Sequence, residues 1–419
     1  MLPNAQREAQ RAIEAFVRDD RSRVLAALVK RCGFEVAEES LDAAIEAAVR
    51  QWPGEGTPSS PAAWVMAVAR RRAIDALRHR ATRSQGRATL RALRDERDAD
   101  ALSALEDEAF GDDRLRLFFT CCHPAIAEET RVALALRWLS GLSTDDVARA
   151  FCVAPATMAQ RLTRAKAKIE TAGIPYEVPE KSELRERLAS VLEVLYAIFN
   201  EGYVATAGTS LQRVDLADEA LRLAAILCAL VDEHPDALSL RALLLLVHAR
   251  RAARTASDGE MIALDEQDRA LWDRAMISLG KSLLDRALRA GPPSAYAIEA
   301  AIQALHDESP SYVATDFAQI AELYRLLRAK VDAPIVALNE AVARSMVDGP
   351  EQGLRLVLAL ERAEGLQGHH ALFAAKADLL RRLGRSAEAI AAYDAAIEAT
   401  RNEPERRFLS RRRAIVIAG

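Results

Sequence analysis

The residues best spaced to do chemistry lie between Pro155 and Glu170. Thr157, Arg161, Arg164 and Lys168 recur at helical spacing, one residue out of phase with Met158, Leu162, Ala165 and Ile169. One side of such a helix packs and the other is polar and cationic, which is what a helix lying in a DNA major groove requires. Arginine can pair bidentately with guanine, and Thr157 and Gln160 can meet base edges or phosphate. Lys166 lies off the strip and suits a backbone phosphate. The competing reading is a solvated charged face on an ordinary helix.

A second cationic cluster runs from Ala62 to Arg94, with nine arginines against one acid, Asp75. Arg70, Arg71, Arg72 and Arg78 lead it. Trp64, Arg71 and Arg78 are seven apart and line up on one side of a helix, where an indole could stack on bases while guanidiniums neutralise phosphates. A core tryptophan on a solvated helix would give the same pattern. Asp95 to Asp113 then reverses the sign, with nine acids against one base, Arg97. The net charge of −4 hides this segregation.

Other chemistries find no support. None of the five cysteines forms a C-x-x-C pair, and adjacent Cys121 and Cys122 cannot easily both face one ion, so buried thiols are expected rather than a metal site. The glycines of 53–61 (PGEGTPSSP) lack the spacing and the lysine of a phosphate-binding loop. Glu201 and Tyr203 have no histidine, metal motif or nucleophile near them, so FNEGY (199–203) reads as structural. No enzyme activity, cofactor or metal is expected.

The elements that must position these residues are helical. Half the residues are hydrophobic, only 5% are aromatic, and Gly and Pro are sparse, which predicts an all-α chain of two to four domains. Ser143, three residues before Asp146, opens a helix over Thr144–Phe151; Cys152-Val153-Ala154 turns; Pro155 opens the next helix. Together they form a helix-turn-helix. Upstream, the pattern predicts two helices within 5–33, one over Val36–Trp52, a loop over 53–61 and a helix over Ala62–Arg80. Residues 81–113 read as a linker, partly helical. Helices follow at Arg114–Cys122 and Ala127–Leu139, and Gly173, Pro175 and Pro179 mark a boundary. Beyond it come helices at about 184–199, 215–231, 236–254, 263–290, 294–306, 312–328 and 332–347. Ala377, Leu380, Leu383-Gly384-Arg385, Ala389, Tyr393 and Ala396 resemble a tetratricopeptide repeat, which stacks into a solenoid. The polar start MLPNAQREAQ and the shortness of the apolar runs predict a cytoplasmic protein with no membrane partner.

Taken together, residues 5–170 resemble an extracytoplasmic-function (ECF) sigma factor of bacterial RNA polymerase. Ala37–Trp52 (AEESLDAAIEAAVRQW) looks like the helix that docks on the polymerase clamp. Ala62–Arg80 (AAWVMAVARRRAIDALRHR) looks like the helix that engages and melts the −10 element. Residues 132–168 look like the −35-reading domain, through L-S-x-x-x-V-A and T-x-x-x-R-L-x-R-A-K. FFTCCHP (118–124), RLASVLEVLYAIFNEGY (187–203) and LDEQDRALWDR (264–274) are similar to a subgroup with a C-terminal extension of tetratricopeptide-like repeats. Ser40-Leu41-Asp42 departs from the more acidic, glutamine-rich run of many members. Val347-Asp348-Gly349-Pro350 matches the subgroup's repeat-linking motif only approximately.

The resemblance implies sigma region 2 over 1–90, an acidic linker over 91–113, sigma region 4 over 114–175 and a regulatory helical extension over 176–419. It implies core RNA polymerase as partner through Glu38, Leu41, Asp42 and Ile45. Promoter DNA would be held at −10 by Trp64, Arg70, Arg71, Arg72 and Arg78, and at −35 by Thr157, Gln160, Arg161, Arg164, Lys166 and Lys168. Asp348, Gly349 and Pro350 would form a regulatory linker, and the solenoid would receive a regulatory protein or ligand. Two alternatives stay open: a helix-turn-helix regulator with a helical-repeat sensor that never joins polymerase, and a scaffolding repeat protein.

Overall fold

A computed structural model describes residues 4–84, 109–151, 153–205, 209–362 and 366–418. The described residues are helical throughout apart from loops and isolated bridges, among them one between Thr255 and Met261. They fall into two compact units, 1–195 and 196–419. The division lies within a helix, beyond the Gly173–Pro179 break at which the sequence places its boundary.

The first unit opens with α1 (Asn4–Asp19) and α2 (Arg21–Glu55), joined at Asp20. As the sequence suggests, the helix breaks at Gly33, whose backbone is non-helical (φ +74°, ψ 168°), so α2 is two helices joined across a kink there. Pro53 stays inside α2, because the three residues that follow Trp52 complete its last turn. The loop predicted over 53–61 is thereby cut to 56–60, and Pro61 starts α3 (Pro61–Ser84). Val24, Leu25, Leu28, Leu41, Ala44, Ala48 and Trp52 bury the inner face of α2 against α1 and α3. The predicted linker lies mostly over 85–108, outside the described residues. Its last part, Ala109–Asp113, belongs to α4 (Ala109–Cys121).

α5 (Glu128–Leu134) continues into a π-helical turn, Ala135–Leu139. Such a turn inserts a residue and re-aims the side chains beyond it; here Trp138 is fully buried. α6 (Thr144–Ala150) and α7 (Pro155–Thr171) complete the helix-turn-helix, and α8 (Lys181–Tyr203) follows. Cys121 and Cys122 are buried, and burial holds the Cys122 thiol up at about 12 and Cys121 well above its ordinary value. Both are packed, non-ionised side chains.

The second unit contains α9 (Val214–Leu230), α10 (Pro235–His248), α11 (Arg274–Ala290) and α12 (Ala295–Glu308). α13 (Phe317–Arg328), α14 (Pro334–Val347), α15 (Pro350–Arg362), α16 (His370–Arg382), α17 (Ser386–Ala399) and α18 (Glu403–Ala418) follow. Consecutive helices pack on one another through most of this series. The helices predicted over 236–254 and 263–290 are shorter than expected. α10 stops at His248, and 249–273 is a loop with two short 3-10 turns. The reason lies in its polar side chains. Asp273 caps α11 by accepting from Met276 N (3.0 Å), while Arg250 and Arg254 turn inward. Arg254 stacks 3.4 Å above the Tyr203 ring, Arg250 faces Asp307 at 3.7 Å, and Arg269 donates to the carbonyls of His306 and Ser309 (2.6 and 2.8 Å). The predicted start at 312 moves to Phe317, where Asp316 accepts from Gln319 N (2.9 Å).

Farther on, Ser345 is fully buried and receives Arg382 at both its hydroxyl (3.0 Å) and carbonyl (3.1 Å). Gly353 lies where α15 crosses it: a Cβ there would fall 2.4 Å from that of Ser345. Only glycine permits that approach.

Candidate nucleic-acid interface

The helix-turn-helix is fixed by local signals the sequence announces. The backbone N of Asp146 donates to Ser143 Oγ and that of Ser143 to Asp146 Oδ2, both at 3.1 Å, a closed capping box. Gly141, just before it, has φ +76°, and a Cβ there would meet Arg21 Cδ at 3.0 Å and Val17 O at 3.2 Å. The residue is therefore held to glycine twice, by its backbone and by the close passage of α1 and α2.

α7 has the two sides expected of it. Met158, Leu162, Ala165 and Ile169 are all buried. Thr157, Gln160, Arg164 and Lys168 are exposed. Arg161 is half-exposed and sits 3.4 Å from the open carboxylate of Glu129. A surface pair of this kind contributes little, about 0–1 kcal/mol, and yields readily to a phosphate or a base. Among the described residues, the side chain of Arg164 bonds only within its own helix, to Gln160 O at 3.4 Å. These five side chains form a continuous donor-rich surface.

Lys166 is directed elsewhere. Its Nζ lies 2.5 Å from Glu38 Oε2 on α2. The same carboxyl group pairs with Arg137 Nε at 2.8 Å and accepts from Trp138 Nε1 at 3.4 Å. One turn along α2, Asp42 accepts from Arg137 Nη2 (2.6 Å) and Arg21 Nη2 (3.0 Å). Arg21 is 2% exposed, and burial, with Arg137 beside it, lowers its pKa while Asp42 opposes the shift. Phe34 stacks on Trp138 with centroids 4.3 Å apart. Sequence reasoning missed Arg21, Arg137 and Trp138. Arg21 carried a signal, since it stands three and four residues before Val24 and Leu25 on the buried face of α2.

The residues singled out on α2 are thus not open surface. Glu38 is enclosed, Leu41 is 0% exposed in the core, and Asp42 and Ile45 are half-buried. On α3, Arg71 and Arg72 are exposed and Arg70 is half-buried. Arg78 lies in α3, its side chain outside the described set. Trp64 is half-buried, edge-on to buried Trp52 at 5.5 Å, so part of the indole serves the core. Asp348, Gly349 and Pro350 form the corner between α14 and α15. Asp348 lies 3.9 Å from Arg344, Gly349 has φ +88°, and Pro350 is the first residue of α15. Among the described residues no helix is long and apolar enough to cross a membrane.

Comparison with known proteins agrees with this geometry. Residues 57–173, which span α3 to α7, match the model of the ECF sigma factor family. Residues 187–288 match a family of unknown function, DUF6596. An uncharacterized protein of Rhizobium meliloti (strain 1021) is 41% identical over 378 residues, 90% of this chain and 88% of its own length. The chain therefore belongs to the same family as that Rhizobium meliloti protein, and it carries an ECF sigma factor domain, a domain of transcription initiation.

Proposed function

We propose that the chain is a dissociable sigma subunit that gives core RNA polymerase its promoter specificity and carries its own helical regulatory extension. The observation that carries this is α7: a fully buried seam opposite an exposed strip of Thr157, Gln160, Arg164 and Lys168, inside the ECF sigma factor match. In this reading α7 enters the major groove at −35, with Arg161 and Arg164 at base edges and Lys168 at phosphate. Arg70, Arg71, Arg72 and Arg78 hold the −10 phosphates, and the exposed part of Trp64 stacks beside them. Glu38, Asp42 and Ile45 meet the polymerase, and Leu41 holds their helix in register.

The extension uses tetratricopeptide-like hairpins, α14–α15 and α16–α17, to receive a regulatory protein or ligand. Asp348, Gly349 and Pro350 set the angle of the first. The short 56–60 loop then faces the strand opened at −10. Extruding a base costs a few kcal/mol, so the phosphate contacts of α3 must accompany it.

The test is run-off transcription by purified core polymerase on the DNA upstream of the chain's own gene, with and without the full-length protein. A discrete transcript that depends on the protein is expected. Failure to co-purify with core polymerase, together with specific binding to the same DNA alone, would instead make it a regulator that never joins polymerase.

A further inference from the structure

We propose that the second unit holds a binding site for a small α-hydroxy or α-amino acid, built on Arg250, Arg269, Trp272 and Asp307. This goes beyond the reading above and does not depend on it. None of these residues lies in the sigma factor match or in the hairpins of α14 to α17.

Buried charge is left unbalanced here. Arg250 and Arg254 are 3% and 6% exposed, and Arg269 is half-buried. Among the described residues, the one ion pair these three arginines make is that of Arg250 with Asp307, at 3.7 Å. That gap is beyond hydrogen-bond reach. Arg254 is served by Tyr203, through its ring and its carbonyl. Arg250 and Arg269 each use one terminal nitrogen, on Gln303 Oε1 and on the carbonyls of His306 and Ser309 respectively. The other terminal nitrogens, Arg250 Nη1 and Arg269 Nη2, are buried and have no hydrogen-bond partner among the described residues.

These groups converge. The two guanidiniums lie 5.8 and 4.3 Å from the centre of the Trp272 ring, whose Nε1 is a third buried donor without a partner among the described residues. Both oxygens of Asp307, which is 2% exposed, are in the same condition. Buried polar groups are ordinarily paired, and unpaired buried charge is costlier still. Donors and acceptors stand side by side in this place without meeting.

That pattern specifies the ligand. Three donors require an anionic acceptor, and a carboxylate matches the guanidinium fork. Asp307 requires a donor on the same molecule, a hydroxyl or an ammonium. Asp307 lies only 3.7 Å from Arg250, so the ligand's two groups must be close neighbours, as they are when one α-carbon carries both. Acetate or sulfate would meet the arginines but oppose Asp307. Water would pair the atoms but leave the excess positive charge in place. Trp272 directly follows a single 3-10 turn, Arg269–Leu271, whose Ala270 and Leu271 are exposed, so the indole is one turn from solvent.

The experiment is isothermal titration calorimetry on the full chain at neutral pH, with glycolate, glycine, acetate and sulfate as separate probes at matched ionic strength. Glycolate or glycine should bind saturably below about 10 mM, which so few atoms allow, and acetate and sulfate about tenfold more weakly or not at all. Whichever of the two binds tells hydroxyl from ammonium. Trp272→Phe keeps a ring and removes the N–H, and should weaken binding about tenfold. Asp307→Asn removes the charge that opposes a simple anion and should bring acetate up to the affinity of glycolate, a gain that lost packing would not produce. If neither glycolate nor glycine binds the parent, the atoms are served by internal water and the proposal falls. It falls equally if acetate and sulfate match them, which would show an unselective cationic surface. Folded Trp272→Phe and Asp307→Asn proteins that bind all four probes as the parent does also overturn it.

Discussion

If α7 reads DNA with one side and packs with the other, single substitutions on its two sides must fail differently. Arg164 is exposed and, among the described residues, bonded only within its own helix, so Arg164→Ala should change stability by no more than about 0.5 kcal/mol. As a base-edge contact it should cost about 1–3 kcal/mol of promoter binding, roughly fivefold to a hundredfold, and relax discrimination at one −35 position. Lys168→Ala, a phosphate contact, should weaken all fragments alike and reduce the salt slope of log K by about 0.9. Leu162 is 5% exposed; Leu162→Ala should cost about 2–5 kcal/mol of stability through the cavity it leaves. The assay is fluorescence anisotropy of polymerase holoenzyme on fragments altered at each −35 base pair, repeated across salt, beside urea unfolding of each variant. Uniform loss across all fragments for Arg164→Ala would refute the base-reading role. Unaltered stability of Leu162→Ala would refute the packing.

Two further outcomes test the frame around that helix. Gly141→Ala combines a left-handed residue, about 1–2 kcal/mol, with a Cβ pressed on Arg21 and Val17; a loss of about 2–4 kcal/mol is expected in urea unfolding followed by tryptophan fluorescence, and a loss below about 0.5 would remove the constraint. In the second unit His306, among Arg250, Arg269 and Asp307, is held down at about 3 by burial and then by the arginines. The unfolded chain therefore takes up that proton first, and stability is lost as pH falls from 6.5 toward about 3, at up to about 1.4 kcal/mol per pH unit. Asp307 has the opposite sign: burial raises it to about 6, so its contribution is full below 3.8 and lost as pH rises through about 6. The two slopes oppose each other between pH 4 and 6, roughly. His306→Gln should leave a chain whose α12 amides gain protection against hydrogen exchange on acidification across that range, while the parent stays nearly level; a level variant would refute the assignment.

What the sequence discloses is what local chemistry decides. The capping box at Ser143, the proline opening α7 and the four-residue seam are each set within a few residues, and each lies where its pattern places it. The loop at 249–273 is harder to read, because its helix-like periodicity yields to arginines whose partners lie on distant helices: Arg254 on Tyr203, Arg250 on Asp307. Arg21 is the intermediate case. Its place on an apolar face says that it is buried and must meet an acid, but not which acid.

Lys166 shows why the rest of the site stays hidden from pattern alone. Its position off the strip of α7 identifies it as a residue with a different task, and phosphate is the natural inference. The structure gives it Glu38, 128 residues earlier in the chain. If, as proposed, Lys166 meets phosphate and Glu38 meets polymerase, the two satisfy each other while neither partner is present. On that proposal, complementarity to two external surfaces of opposite charge would make the two halves of the first unit complementary to one another. Sequence displays each half of that relation, and only the fold brings the halves to 2.5 Å.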